Sequence, residues 1–237
     1  MKVAIMQPYF FPYPGYFSLM QAVDMFVFLT DVQYTRRSWM NRNRILNRSA
    51  AEGWDYIHMP VLYAKRETLF CEIETHSGKD ALSRIERQLV HHYGTAPHRA
   101  AVITFLKELW DVPLKSLAEF NMKSLRALAQ MMGITAKFID SREVAVEKDL
   151  PAEDRLIALT QSLQADTYIN LPGGRTLYSA GNWTRQGLQL LFLEPKLPPY
   201  KQGDGPFIPA LSVIDMLMWN SLETVRASVA RDYDLKS

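Results

Sequence analysis

Several features that would assign this chain to a particular class of protein are scarce or absent. A single cysteine, Cys71, excludes an internal disulfide framework and fits a reducing compartment. The formal net charge is only +2, so no strong overall field attracts nucleic acid or an anionic membrane. No uninterrupted apolar stretch has the length of a membrane span, and the first apolar run is too short for a signal peptide. We therefore expect a cytoplasmic protein with no membrane partner, and nucleic acid is disfavoured as a partner.

Sequence signatures for metal ions and common cofactors are also missing. No Cys/His cluster has ligand spacing, and neither the P-loop nor the dinucleotide-binding fingerprint occurs. Cys71 lies in an apolar run, residues 69–73, which is typical of a buried thiol rather than a nucleophile. His91 and His92 close a predicted helix and His98 follows it, positions where histidine is more often structural than catalytic. No metal site is predicted, and the sequence indicates no particular cofactor.

The beginning of the chain has the pattern of strand, helix and strand. Residues 3–6 and 25–29 are short apolar runs typical of buried parallel strands, and residues 15–23 carry apolar side chains at helical spacing. This βαβ unit predicts an α/β, Rossmann-like fold with a mainly parallel sheet. The turn after the first strand should lie at the carboxyl edge of the sheet, where open α/β sheets usually bind ligands.

The rest of the chain predicts a helical middle and then a return to alternating strands and helices. The predicted elements are extended segments at 56–62 and 68–74, helices at 80–93, 99–111 and 114–132, a strand at 136–139, a helix at 152–164, strands at 167–170 and 188–192, and a final helix at 212–221. Gly133 is the expected left-handed stop of the third helix. We therefore predict one α/β domain over residues 1–237, with residues 80–133 as a helical subdomain within it.

The first candidate functional segment is the turn at residues 7–16, which holds three prolines and five aromatic residues. Proline fixes the backbone, so this turn should be stiff. It leads into a helix N-terminus near Gly15, where free N–H groups favour a phosphate or carboxylate. Gln7, Tyr9 and Tyr16 are its candidate site residues. The alternative is a rigid packing loop whose rings cap the sheet.

The second candidate segment, residues 31–44, should lie beside the first because it leaves the end of the second strand. Its side chains offer guanidinium forks, amides and an indole face, which suit a nucleotide, a sugar nucleotide or another anionic metabolite. The candidates are Asp31, Gln33, Tyr34, Arg37, Trp39, Asn41 and Arg42. The same side chains also suit single-stranded RNA, and a solvated basic loop is the plain alternative.

Two further segments contribute candidates. One is residues 170–178, after a predicted strand. Gly173 and Gly174 let the backbone approach a ligand closely there, while Arg175 supplies a cation; an ordinary strand-to-helix turn is the alternative. Tyr200 and Gln202 lie in an irregular loop and are candidate ligand contacts. In the helix that follows this loop, Ser212 and Asp215 have the spacing of a capping box.

The opening Met-Gln-Pro-Tyr-Phe-Phe-Pro-Tyr-Pro-Gly-Tyr-Phe, residues 6–17, resembles the hallmark of the WbqC-like family. The resemblance continues through residues 31–34, Trp39 and residues 41–43. Near the C-terminus it resumes at residues 174–175, Tyr200, Gln202, residues 207–209 and residues 211–215. It implies a role in bacterial surface-polysaccharide biosynthesis, especially of O-antigen, and the decoration of a sugar or activated sugar.

The opening also resembles nucleotidyltransferases that carry a His-x-Gly-His signature. The corresponding residues here are Tyr13, Pro14, Gly15 and Tyr16, so both histidines that would stabilise a pentavalent phosphate are replaced. Tyr16 can donate a hydrogen bond but carries no positive charge at neutral pH.

These observations predict a transferase that modifies an activated sugar or another activated anionic metabolite, with acyl or aminoacyl transfer to an amino group as the favoured reaction. Asp31 is the expected base and Tyr16 the second catalytic residue. Ligand binding is assigned to Tyr9 and Tyr16 for shape, Arg37 and Arg42 for charge, Trp39 for stacking, and Gln7, Gln33 and Asn41 for orientation.

Two alternatives stay open. One is a non-catalytic ligand-binding or scaffolding protein of a polysaccharide assembly system, and the other is a nucleotidyltransferase-like enzyme with a degenerate signature. The sequence also leaves homo-oligomerisation open.

Overall fold

Eight strands and eight α-helices make up the computed structural model in the residues that it describes, 1–62, 65–76, 78–111 and 116–237. The strands are β1 (Lys2–Met6), β2 (Met25–Phe28), β3 (Arg42–Leu46), β4 (Trp54–His58), β5 (Lys137–Asp140), β6 (Thr167–Asn170), β7 (Gln189–Pro195) and β8 (Tyr233–Lys236). The helices are α1 (Pro14–Gln21), α2 (Gly78–His92), α3 (Arg99–Trp110), α4 (Leu117–Met132), α5 (Ala152–Ser162), α6 (Ala180–Arg185), α7 (Val213–Trp219) and α8 (Leu222–Arg231). Short 3-10 helices occur at Phe70–Glu72, Ser141–Glu143 and Pro172–Leu177.

Six of the strands form one sheet in the order β5-β2-β1-β6-β7-β8. All neighbouring pairs are parallel except β7 and β8, which are antiparallel. From β1 the chain first adds β2 and β5 on one side and later β6 and β7 on the other. The strand order therefore reverses between β1 and β6, and this is the topological switch point, beside which α/β sheets usually bind ligands. The predicted Rossmann-like fold with its opening βαβ unit is confirmed.

Alternating side chains along the strands cover the two faces of this sheet. Val3 and Ile5 pack with α5 and with Trp183 of α6 in one hydrophobic cluster. Ala4, Phe26 and Phe28 belong to a second and larger cluster on the other face, which also contains side chains of α1, α4, α7 and α8. Helices on both faces explain why β1 after Lys2 and all of β2 are apolar rather than alternating with polar residues.

The helical middle of the chain contributes to this larger cluster. Buried side chains of α2, α3 and α4 share it with the sheet, so these helices and the sheet have a continuous core. Helix α4 ends at Gly133 with a φ of 76°, the predicted left-handed stop. Its predicted start at residue 114 lies outside the described residues, among which α4 begins at Leu117.

The strand β3 was not predicted, and two predicted elements differ from the structure. The polar stretch Arg42–Leu46 is a strand, β3, which pairs antiparallel with β4; its charged residues gave no strand pattern. The extended segment predicted at 68–74 contains the 3-10 helix Phe70–Glu72. The helix predicted at 212–221 is not the last element, because Asn220 is extended, Ser221 caps the new helix α8, and β8 follows.

Residues 7–13, called the aromatic turn below, are held by hydrogen bonds from distant parts of the chain. Five of the six backbone carbonyls from residue 7 to residue 12 accept such bonds. The carbonyls of Gln7, Pro8, Phe10, Phe11 and Pro12 accept from Tyr16 Oη (2.7 Å), Asn121 Nδ2 (2.8 Å), Asn43 Nδ2 (3.0 Å), Ser212 Oγ (2.7 Å) and Val213 N (2.8 Å). Phe11 is buried with a φ of 41°, a left-handed conformation that is costly for a non-glycine residue. The surrounding hydrogen bonds compensate this strain.

Substitution of Asn121 tests how much these bonds stabilise the turn. Its Nδ2 donates to the Pro8 carbonyl and also to the Met40 carbonyl, at 2.7 Å. Asn121→Leu would leave two buried carbonyls without donors and should lower the free energy of unfolding by about 2–4 kcal/mol, measured by urea denaturation. Gln130→Leu on the exposed side of the same helix is the matched control and should change little. Equal effects of the two substitutions would contradict the anchoring role.

Candidate functional site

A cavity of about 520 Å³ opens at the carboxyl ends of β1 and β6, beside the switch point. We call it the switch-point cavity. Most of its lining comes from the aromatic turn, from the segment that includes Trp39 and β3, and from the segment after β6, and the rest comes from β1, the end of β2, α5 and Ala210. The lining residues are Ile5, Met6, Gln7, Tyr9, Pro12, Tyr13, Leu29, Trp39, Asn43, Arg44, Leu156, Asn170, Leu171, Pro172, Gly173, Gly174, Leu177, Tyr178 and Ala210. Three of the four predicted segments therefore meet at one place.

The lining combines aromatic rings with a few polar groups, the usual composition of a small-molecule site. Phenols come from Tyr9, Tyr13 and Tyr178, and an indole comes from Trp39, which is 39% exposed. Carboxamides come from Gln7, Asn43 and Asn170, and a guanidinium comes from Arg44. This set can stack on a ring, donate hydrogen bonds to oxygens and bind a negative charge.

The phenols act as hydrogen-bond donors at neutral pH. Burial raises the pKa of Tyr9, and the neighbouring Tyr178 raises it further. Burial and the nearby Tyr9 raise the pKa of Tyr13 to about 12. Within the described part of the chain, neither the Tyr9 nor the Tyr13 hydroxyl has a hydrogen-bond partner, so both remain available to a ligand.

The two glycines after β6 have different roles. A Cβ at Gly174 would lie 2.7 Å from Asn170 Nδ2 and 2.8 Å from the Tyr178 ring, so only glycine fits there. The Asn170 amide in turn donates to Tyr178 Oη at 2.9 Å, which fixes the wall of the cavity. A Cβ at Gly173 would have nothing within 4 Å, and this position faces open space.

Asp31, the predicted base, does not line the cavity. It is buried at the ends of β2 and β5, where its carboxylate accepts from Ser141 Oγ at 2.5 Å and Arg155 Nη2 at 2.6 Å. Burial alone would raise the pKa of Asp31, but the hydrogen bonds from Arg155 and Ser141 and the charge of Arg155 lower it overall. A carboxylate held in this way is a weak base, and its contacts are those of a buried ion pair.

Tyr16, the other predicted catalytic residue, is fully buried and donates its hydroxyl hydrogen to the Gln7 carbonyl, so it supports the aromatic turn from below. The helix N-terminus expected to bind an anion is also covered, because Gly15 is buried and packs tightly against Tyr13 and Pro195. Neither Tyr16 nor Gly15 lines the cavity.

Six more predicted contact residues lie outside the lining, and five of them have other partners. Gln33 donates to the Arg66 carbonyl, Tyr34 is buried beside Phe70, Arg37 is exposed with a φ of 55°, Asn41 donates to the Met59 carbonyl, Arg42 lies over the Tyr56 ring, and Arg175 pairs with Glu194 at 2.9 Å. Of the predicted contacts, the cavity thus contains Gln7, Tyr9, Trp39, Gly173 and Gly174.

Tyr200 and Gln202 belong to a buried polar network around Asp215. The Asp215 carboxylate accepts from Tyr93 Oη (2.8 Å), Tyr200 Oη (2.7 Å) and Gln202 Nε2 (2.9 Å). The predicted capping box is confirmed for Ser212, which caps α7 by accepting from Ile214 N. It is wrong for Asp215, whose side chain belongs to this network instead. Tyr200 and Gln202 do not line the cavity.

Among the polar and aromatic lining residues, sequence reasoning missed five, Tyr13, Asn43, Arg44, Asn170 and Tyr178. All five lie inside the segments that were singled out, so the segments were informative where the individual assignments were not. The available signal was the strand β3, because successive side chains of a strand point to opposite faces. A predicted strand would have placed Asn43, which donates to the Phe10 carbonyl, on the opposite face from Arg42 and Arg44.

Fold and cavity together define an α/β protein with a Rossmann-like sheet and a ligand-sized cavity at its switch point. The chain belongs to the WbqC-like protein family, which matches residues 7–227. It is also similar to a protein of Mycobacterium tuberculosis (strain ATCC 25618 / H37Rv) named "Uncharacterized protein Rv1507c", with 30% identity over 224 residues that cover 91% of this chain and 92% of the relative. No solved structure matches the chain. Among the described residues, no helix combines the length and the apolar character that crossing a membrane requires.

The Asp31–Arg155 pair gives a stability prediction. Asp31→Asn leaves the buried Arg155 without its counter-charge and should lower the free energy of unfolding at pH 7 by about 3–5 kcal/mol, measured by urea denaturation. The pKa of Asp31 is lower in the folded protein than its ordinary value of 3.8. The extra stability of the wild type over Asp31→Asn is therefore present above pH 3.8 and is lost as the pH falls through the folded-state pKa. Asp154→Asn, on the exposed side of the same helix as Arg155, is the control and should have little effect.

Asp215 gives a pH-dependence prediction of the opposite sign. Burial raises the pKa of Asp215 from 3.8 to about 6, although Tyr200, Tyr93 and Gln202 oppose the shift by hydrogen bonding. The folded protein therefore holds this proton more tightly than the unfolded chain, and its contribution to stability decreases as the pH rises from 3.8 through 6. The difference in unfolding free energy between wild type and Asp215→Asn should change by up to about 3 kcal/mol between pH 4 and pH 7. A constant difference across this range would refute the assignment.

Proposed function

We propose that this protein is a transferase that binds an activated sugar or another activated anionic metabolite in the switch-point cavity. The favoured reaction is transfer of an acyl or aminoacyl group to an amino group. The observation that carries the proposal is the meeting of phenols, carboxamides and a guanidinium in one cavity at the carboxyl edge of a Rossmann-like sheet. The family resemblance supports a cytoplasmic role in surface-polysaccharide or related biosynthesis.

The chemistry of the lining favours positioning and hydrogen-bond donation over strong base catalysis. In acyl transfer the amine nitrogen attacks the carbonyl carbon, and negative charge develops on the carbonyl oxygen. The free hydroxyls of Tyr9 and Tyr13 are neutral donors that would stabilise this oxygen. The thiolate or phosphate leaving group of an activated donor can take up the proton lost by the amine. Proximity alone supplies a large part of the rate increase in such reactions.

A non-catalytic ligand-binding protein is the second candidate. The cavity is lined by described residues only, and none of them is Asp, Glu, His, Cys or Lys. Because these are the usual side chains for acid-base and nucleophilic catalysis, their absence from the lining favours a binding protein. A binding protein would use the same phenols, amides and guanidinium without turnover. Nucleotidyl transfer has less support, because positions 13 and 16, where the related signature has histidines, are tyrosines, and the Tyr16 hydroxyl is already bonded to a backbone carbonyl.

The test combines ligand screening with product detection. The protein is screened by thermal shift against nucleotide sugars, acyl thioesters and amino acids, since a ligand that binds only the folded state raises the melting temperature. Ligands that bind are then incubated pairwise with the protein and the mixture is analysed by mass spectrometry. A new covalent acyl or aminoacyl product supports the transferase, whereas binding without any product supports the binding protein.

A matched pair of glycine substitutions shows whether ligands occupy the switch-point cavity. Gly173→Leu adds a side chain to the lining at a position where a Cβ meets nothing within 4 Å, so the variant should fold and lose the ligand-induced rise in melting temperature. Gly181→Leu is the control, because Gly181 is exposed on α6 away from the cavity and its Cβ would have only the Ser179 hydroxyl nearby, at 3.9 Å. An undiminished thermal shift in Gly173→Leu would place the ligand elsewhere.

A further inference from the structure

Arg44 is held in a fixed position at the wall of the switch-point cavity. Its Nη2 donates to the Ala210 carbonyl at 3.1 Å, and its own backbone carbonyl accepts from Ser212 N at 2.8 Å. Its guanidinium carbon lies 5.5 Å from the ring centroid of Trp39 and 5.2 Å from that of Trp54. The guanidinium is therefore oriented by protein contacts before any ligand binds, which reduces the entropy lost on binding.

No described residue provides a counter-charge for this guanidinium. The Arg44 Nε is buried and has no hydrogen-bond partner, and no carboxylate of the described chain forms a salt bridge with Arg44. Arg155 and Arg142, in contrast, pair with Asp31 and Asp140. A partly buried cation without an anion is costly, and the cost disappears when an anionic ligand enters.

The arginines that the sequence suggested as cations, Arg37, Arg42 and Arg175, lie outside the lining. Arg42 has a buried Nε without a partner, as Arg44 has, but its guanidinium lies 4.1 Å from the centroid of the Tyr56 ring, and Arg175 pairs with Glu194. Arg44 is the only cationic side chain in the lining of the cavity within the described residues. A negative charge inside this cavity therefore has one strong partner.

The rest of the cavity indicates what the anion is attached to. Arg44 belongs to β3, whereas the apolar lining residues Ile5, Leu29 and Leu156 belong to β1, the end of β2 and α5. One part of the lining is thus cationic, and another can bury an acyl chain or the apolar face of a ring. A fork of N–H donors matches the paired oxygens of a carboxylate or phosphate.

We propose that Arg44 is the anion anchor of the switch-point cavity and binds the carboxylate or phosphate group of a small metabolite whose ring or acyl body lies against the apolar lining. The inference rests on the proposed function in so far as both place the substrate in this cavity. It specifies the substrate as an anion with an attached apolar or ring-containing body.

The test compares ring compounds that carry an anionic group with neutral ring compounds. Phenyl phosphate and benzoate carry the anion on a ring, and phenol and benzamide are their neutral counterparts. We expect saturable binding of at least one anion to the wild type in calorimetric titrations at low salt, and at least 10-fold weaker binding of its neutral counterpart. The two anions distinguish a phosphate from a carboxylate site. Failure of both anions to bind, or equal binding of the neutral probes, would overturn the proposal.

Substitutions then assign the charge to one residue. Arg44→Met should weaken binding of the anion by roughly 10- to 100-fold, the range for loss of a charge-assisted hydrogen bond. Arg44→Lys keeps the charge but lacks the planar fork, so its affinity should fall between wild type and Arg44→Met. Arg42→Met, on the same strand but outside the cavity, is the matched control and should bind as the wild type does. Melting temperatures show whether each variant folds, and Arg44→Lys decides the question if Arg44→Met does not.

Equal weakening by Arg42→Met and the Arg44 variants would overturn the assignment, as would unchanged binding in the Arg44 variants. The result is separable from that for the transferase. Anion binding that depends on Arg44 without any covalent product leaves the anchor standing and rejects the transferase. Undiminished product formation by the Arg44 variants keeps the transferase and rejects the anchor.

Discussion

The structure depends on one constraint: the backbone carbonyls of the aromatic turn need hydrogen-bond donors, and these come from outside the turn. Proline at positions 8, 12 and 14 removes local N–H groups, so the turn cannot form a regular hydrogen-bonded structure of its own. Asn43, Asn121 and Ser212 supply the missing donors from β3, α4 and the residue before α7. Elements distant in sequence are thereby brought to the carboxyl end of β1, and the cavity forms where they meet.

The same requirement explains why the candidate segments mix residues that support the site with residues that face it. Within β3, Asn43 turns to the turn's Phe10 carbonyl, and the next residue, Arg44, extends along the cavity wall. Ser212 connects the aromatic turn to β3, since its hydroxyl donates to the Phe11 carbonyl and its backbone N–H donates to the Arg44 carbonyl. Tyr16 supports the turn from α1 without lining the cavity. Residue type alone does not separate these two roles, because an amide or a phenol is suited to either.

Local patterns were sufficient for the five parallel strands of the sheet and insufficient for the antiparallel strand β8 and for the site. The apolar runs of β1 and β2 and the helical spacing between them predicted the βαβ unit, because burial on both faces leaves a signal in each short segment. The strand β3 was missed because two arginines and an asparagine replace that signal, and its partner β4 is needed to see it. The position of Asp31 likewise depends on Arg155, which lies 124 residues away, and such long-range pairing leaves no trace in the spacing of nearby residues.

The distribution of charge around the cavity follows from how these contacts are satisfied. Asp31 and Asp215 are both buried, and each is surrounded by protein donors, Arg155 and Ser141 in one case and Tyr93, Tyr200 and Gln202 in the other. Burying an ionised group without partners is expensive, so carboxylates with complete sets of donors stay inside the fold. Arg42, Arg44 and Arg155 each have a buried Nε without a hydrogen-bond partner among the described residues. Arg44 differs from the other two because it lines a cavity and no carboxylate of the described residues pairs with it. An unpaired cation at the wall of a cavity has the electrostatic form of a site prepared for an anion.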